Sequence, residues 1–256
     1  MTKEKKPLLV LPPWLHKLGI AIAYVAWVGA VFILVQLLLG LLLKGILAAG
    51  IPIDTMNRVV LVTLLSVVVY SLTLWFVMWA PKKLLRENTT KKELGASRLP
   101  LWMDLALGPV SFLPYALISG LLLIVAKALL PEANLTEAQQ LGFSTHIFGV
   151  ELATAFVLLV IIAPLVEELL FRGYLFGKLR QQVGLIASVV LISLCFAALH
   201  GQLNVGIDTF ALSVVLCLLR EYTGSIWASV LLHATKNGIA FYVLFINPSL
   251  LSTMGL

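Results

Sequence analysis

"LGIAIAYVAWVGAVFILVQLLLGLLL", residues 18–43, runs for some 26 positions without a charged side chain. A helix of about 20 apolar residues crosses a hydrocarbon core of about 30 Å, so this stretch reads as a membrane span. No small-residue cleavage pattern follows the basic stretch "MTKEKKPLLVLPPWLHK" in front of it, and a permanent anchor is expected rather than a removable signal peptide. Further apolar runs lie near 59–80, 108–130, 149–178, 185–200, 205–219 and 225–246. The plain count is seven spans. A break near Gly40 and the stop at Pro248 leave room for an eighth, short or re-entrant segment.

Composition agrees with these runs. Hydrophobic residues make up 61 % of the 256 and charged ones 12 %, against about 45–50 % and about 25 % in soluble domains. Mean hydropathy is +1.04. The expected fold is an all-α polytopic transmembrane bundle of seven to eight helices, a single membrane-embedded domain over residues 1–256 with short loops. The net charge of +6 is spread between the apolar runs, which suits lipid headgroups and gives no nucleic-acid surface. Cys195 and Cys217 fall inside apolar runs and behave there as small hydrophobes.

The loop "PKKLLRENTTKKELGASRLP" carries Lys82, Lys83, Arg86, Lys91, Lys92 and Arg98, and the positive-inside rule makes it cytoplasmic. Seven crossings then place Lys3, Lys5, Lys6 and Lys17 inside with Lys178, Arg180 and Arg220, and "PEANLTEAQQ" outside. The N-terminus is thus expected to be cytoplasmic. The stretch around Asp104 reads as an interfacial approach to the third span.

Against this background the run "IIAPLVEELLFRGYLF", residues 161–176, stands out. Ionisable groups at membrane depth face protein or a wet cavity and are functional candidates by default, although interfacial snorkelling is the plainer reading of any single one. Residues four apart share a helical face, whereas adjacent ones diverge by about 100°, so Glu168 can pair with Arg172 while Glu167 points elsewhere. Glu167 is left as the candidate general base. A turn at Gln182-Val183-Gly184 follows, and in an antiparallel hairpin about this turn His200 lies level with Glu167. In "LLHATKNGIAF", His233 and Asn237 are four apart on one face; Lys236 lies on another and is expected to snorkel or to pair with Glu221 or Asp208. A carboxylate, two imidazoles and a carboxamide are an inventory for activating water and holding an oxyanion. The expected chamber lies between the fourth, fifth and seventh spans.

"EELLFR" (Glu167, Glu168, Arg172), "FAALH" (Phe196, His200) and "HATKN" (His233, Asn237), in that order, resemble the three motifs of the CPBP family, the CAAX proteases and bacteriocin-processing enzymes also called the Abi family. The resemblance covers roughly residues 150–245, the catalytic motif region; the first three spans carry no motif. It implies an intramembrane endopeptidase in which Glu167 acts as general base on a water with help from His200. His233 and Asn237 would stabilise the oxyanion, and Glu168 and Arg172 would hold the site in shape. The implied substrate is a peptide or protein at the bilayer, CAAX-like or carrying a leader peptide, with or without a prenyl group. No cofactor is favoured: there is no H-E-x-x-H, and Asn is a poor zinc ligand. Zinc held by Glu167, His200 and His233 is the alternative. The competing functional reading is a non-catalytic peptide-binding or bacteriocin-immunity protein on the same scaffold.

His233 lies only nine or ten residues from the turn near Thr223-Gly224, shallower than His200 is from its own turn. Tilt, or a break at Pro164 or Gly206, is therefore required to bring the two histidines together.

Overall fold

The computed structural model describes residues 12–50, 56–137, 139–140 and 143–250. Lys3, Lys5 and Lys6, which the charge pattern places inside, lie outside the described residues. All regular structure among the described residues is helical.

Helix α1 (Pro13–Ala48) starts with proline in its first turn, where the missing N–H costs nothing, and runs unbroken through Gly40. The break considered at Gly40 does not occur. Helix α2 (Arg58–Leu84) begins at Asn57, whose side chain accepts from the Val59 and Val60 amides. Helices α3 (Trp102–Val110) and α4 (Phe112–Leu129) meet at Ser111 and together form the third span. Helix α3 is more than an interfacial approach, because it packs along the start of α10 (Trp227–Phe241). Gly108 makes that contact possible: a Cβ there would lie 2.6 Å from Leu231 Cβ.

The fourth span, Val150–Gln182, is one long helix with two changes of winding. It runs as α5 (Val150–Phe156), a π-helical stretch Val157–Ile162, α6 (Ala163–Glu168), a second π-helical stretch Leu169–Leu175, and α7 (Phe176–Gln182). Pro164 just inside α6 has no amide hydrogen, and the wider winding ahead of it redistributes the backbone bonds. Helix α8 (Leu185–Ala198) is short, about 21 Å at 1.5 Å per residue. Helix α9 (Leu203–Thr223) ends on Gly224 in the left-handed region, and α10 continues as a π turn, Tyr242–Ile246.

Among the described residues six helices are long and apolar enough to cross a membrane, and α8 is a shorter apolar seventh. Polar side chains gather at one end of the bundle. Glu87 accepts from Lys178 at 3.0 Å and from Tyr24 at 2.8 Å, and Arg180 pairs with Glu221 at 2.8 Å. Arg220 donates to the backbone carbonyls of Arg172 and Glu93. The basic segment after α2 is thereby tied to the ends of α7 and α9, with Leu94 and Glu93 seated on Gly173 and Gly177.

Candidate active site

The two adjacent carboxylates of α6 have different surroundings. Glu168 is fully buried and its Oε1 accepts from Arg172 Nη1 at 3.0 Å, one helical turn on. The same oxygen lies 2.9 Å from His233 Nδ1. Glu167 turns the other way and keeps 15 % of its side chain exposed, enough to meet water. The divergence of neighbouring helical residues separates the pair as the spacing in the sequence predicts.

Glu167 is held by one side chain and approached by another. Tyr70 of α2 donates its hydroxyl to Glu167 Oε1 at 2.6 Å, and His233 Nε2 stands 3.9 Å from Oε2. His233 therefore bridges the two carboxylates, one ring nitrogen toward each. Ionised Glu168 can only accept, so the Nδ1 of His233 carries a proton.

His200 sits just past the end of α8, before Gly201, whose φ of 71° turns the chain toward α9. Its Nδ1 is 2.7 Å from the Phe196 carbonyl, a pure acceptor, which puts the proton on Nδ1 and leaves Nε2 of the neutral ring as an acceptor. Phe196 links the site's parts. Its ring makes edge contacts with His200 at 4.9 Å and His233 at 5.9 Å, and the Arg172 guanidinium lies 4.7 Å from its centroid. A cation over an aromatic face is favourable, more so away from water.

Asn237, one turn after His233, donates from Nδ2 to the Leu159 carbonyl at 2.8 Å. Leu159 lies in the first π-helical stretch, which so contributes a carbonyl for a side chain to take up. The second amide hydrogen of Asn237 and its Oδ1 remain for the cavity. Lys236 pairs with Asp208 at 3.3 Å, one of the two partners expected, and Asp208 also accepts from Tyr115 and Ser119.

Glu167, His200, His233 and Asn237 all line one cavity of about 310 Å³, so the structure brings the four together. The chamber is broader than the three spans expected to build it: Phe32 and Gln36 of α1, Tyr70 of α2, and Thr209 and Leu212 of α9 complete the wall. Tyr70 was missed by sequence reasoning because a tyrosine within "SVVVYSLTL" looks like any interfacial aromatic. The Glu168–His233 contact was missed because nothing in spacing links residues on separate helices. Glu168 and Arg172 stand behind the chamber wall. Among the described residues, no three His, Cys, Asp or Glu side chains stand together as a ready set of metal ligands.

Comparison with known proteins bears on the same region. Residues 149–239 match the family model described as type II CAAX prenyl endopeptidase Rce1-like. The membrane-embedded CAAX protease MroQ of Staphylococcus aureus (strain USA300) is 29 % identical over 97 residues, 36 % of this chain and 39 % of that relative. The match thus spans about two-fifths of the relative's length. No solved structure matches. The resemblance read from the three motifs holds, and it covers the segment that supplies Glu167, His200, His233 and Asn237.

Proposed function

We propose that this protein is an intramembrane endopeptidase that hydrolyses a peptide bond of a membrane-associated substrate with a water activated by Glu167. The observation that carries the reading is the convergence of Glu167, His200, His233 and Asn237 on one chamber among apolar helices. The match to the Rce1-like family and to a membrane-embedded CAAX protease supports the reaction class, and a CAAX-like tail is the substrate class this favours.

In this mechanism a water bound between Glu167 and His200 gives its proton to Glu167 as its oxygen attacks the scissile carbonyl carbon. His200, its Nδ1 proton committed to Phe196, accepts from the water through Nε2 and orients it. The carbonyl oxygen becomes an oxyanion. It takes a hydrogen bond from the remaining amide hydrogen of Asn237 and is further stabilised by His233, whose ring Glu168 fixes through Nδ1. The proton held by Glu167 passes to the leaving nitrogen as the C–N bond breaks, yielding a carboxylic acid and an amine. Glu168 and Arg172 fix the His233 ring rather than touching substrate. The reaction so drawn needs no metal.

A cytoplasmic N-terminus is part of this reading, supported by the basic residues that cluster between α2 and α3 and near the ends of α7 and α9, which obey the positive-inside rule in that orientation.

The test is Glu167→Gln in purified protein with a fluorogenic peptide ending in a prenylated CAAX sequence. Loss of a general base costs about 10²–10⁴-fold in kcat. Cleavage at the wild-type rate would end this reading.

A further inference from the structure

Among the groups that meet Glu167, one comes from outside the motif region. Tyr70 lies in the middle of α2, where the chain is otherwise Val, Leu, Ser and Thr, and its hydroxyl reaches across 97 positions of sequence to Glu167 Oε1 at 2.6 Å. We propose that Tyr70 is a positioning residue for the reaction, holding Glu167 by one oxygen so that the other is presented to the water.

Three observations support this assignment. The two carboxylate oxygens are differently engaged: Oε1 accepts a short hydroxyl bond, while Oε2 lies 3.9 Å from His233 Nε2, too long for a hydrogen bond. A base needs one free oxygen and a fixed direction for it, and Tyr70 supplies both conditions at once. Secondly, Tyr70 lines the same chamber as the four site residues, so the bond is made at the chamber wall. Thirdly, Glu167 has no cation bonded to it within its own helix, in contrast to Glu168 with Arg172. A glutamate side chain with three torsions and no anchor samples several rotamers, and among the described residues the Tyr70 hydroxyl donates the hydrogen bond that selects among them. The motif-bearing helices supply the reacting groups, and α2 sets the aim of the base.

The inference rests on Glu167 being the base, and the experiment separates the two claims. Tyr70→Phe keeps the ring and its packing and removes only the hydroxyl. With the fluorogenic prenylated CAAX peptide, kcat is expected to fall about 10- to 100-fold, the scale of a misplaced catalytic group, with KM changed less than about twofold. Tyr24→Phe is the matched control, since it removes a hydroxyl from the Glu87 carboxylate and neither residue lines the chamber; its kcat stays at the wild-type value. A second readout needs no turnover: the infrared carboxyl band that disappears in Glu167→Gln is expected to shift in Tyr70→Phe and to stay in place in Tyr24→Phe. Wild-type kcat in Tyr70→Phe, or an unmoved Glu167 band, would overturn the proposal. Full activity in Glu167→Gln would instead sink the hydrolytic reading, and the band shift would still report the tyrosine bond.

Discussion

Helices α1 and α9 are both apolar enough to span a bilayer, yet the chain uses them differently. In the most apolar window of α1 only 17 % of residues are buried by the rest of the protein, against 56 % in α9. Leu37, Leu38, Leu41 and Leu42 of α1 are more than half exposed, whereas Leu212 and Leu216 of α9 are fully buried. A soluble protein could not present the first surface to water, but lipid tails are as apolar as leucine and solvate it at no cost. Hydrophobicity therefore marks where the chain lies in the membrane and says little about what packs on what. Packing and polar contacts carry that second kind of information, and they concentrate on Val150–Phe241.

The sharpest way to break this contrast is at Glu168–Arg172. Arg172→Met leaves a buried carboxylate with His233 as its only hydrogen-bond partner, and a loss of about 3–5 kcal/mol is expected, read as a lowered unfolding temperature and reduced monodisperse yield in micelles. Combining it with Glu168→Gln should recover part of the stability but not the activity, because His233 then lacks its charged anchor. Next in size is Leu216→Ala, which opens a hole in tightly packed surroundings and should cost about 2 kcal/mol or more. Leu37→Ala, in the lipid-facing wall, is expected to stay within about 0.5 kcal/mol in the same thermal assay. Equal effects of the two leucines would erase the distinction drawn above.

A similarly small effect is a pH dependence at the polar end of the bundle. Burial pushes the Glu87 carboxyl up, but the hydrogen bonds from Lys178 and Tyr24 outweigh it and hold the group below the ordinary glutamate range. A lowered folded value means that the contact stabilises fully above the unfolded pKa and is lost as pH falls through the folded one. The group is partly exposed and screened, so the contribution is under about 1 kcal/mol. Lys178→Met should flatten the acid side of the stability profile between about pH 5 and pH 3.

Much of this was legible in the chain itself. Seven apolar runs correspond to the six long helices and α8, because apolar length is the one property a bilayer demands. The surroundings of the two glutamates separated on helical geometry alone, since the Glu168–Arg172 bond spans one turn. Contacts between helices were not legible. Tyr70, Gln36 and the Glu168–His233 bond depend on how spans are arranged around one another, and a pattern along one helix carries no record of its neighbour. Nor does hydropathy distinguish π from α winding, so Pro164 flagged a disturbance without revealing that the helix widens on both sides of α6.

That widening has a mechanical consequence. A π turn takes up one surplus residue while leaving the helix on either side in phase, so the fourth span has two seams at which its length can change. Removing one residue from Val157–Ile162 would let the backbone close to ordinary 3.6-residue winding with Glu167 still looking the same way, whereas the same deletion inside α6 would swing its carboxylate round by about 100°. The long helix can be retailored at its seams, but not at the cloth between them.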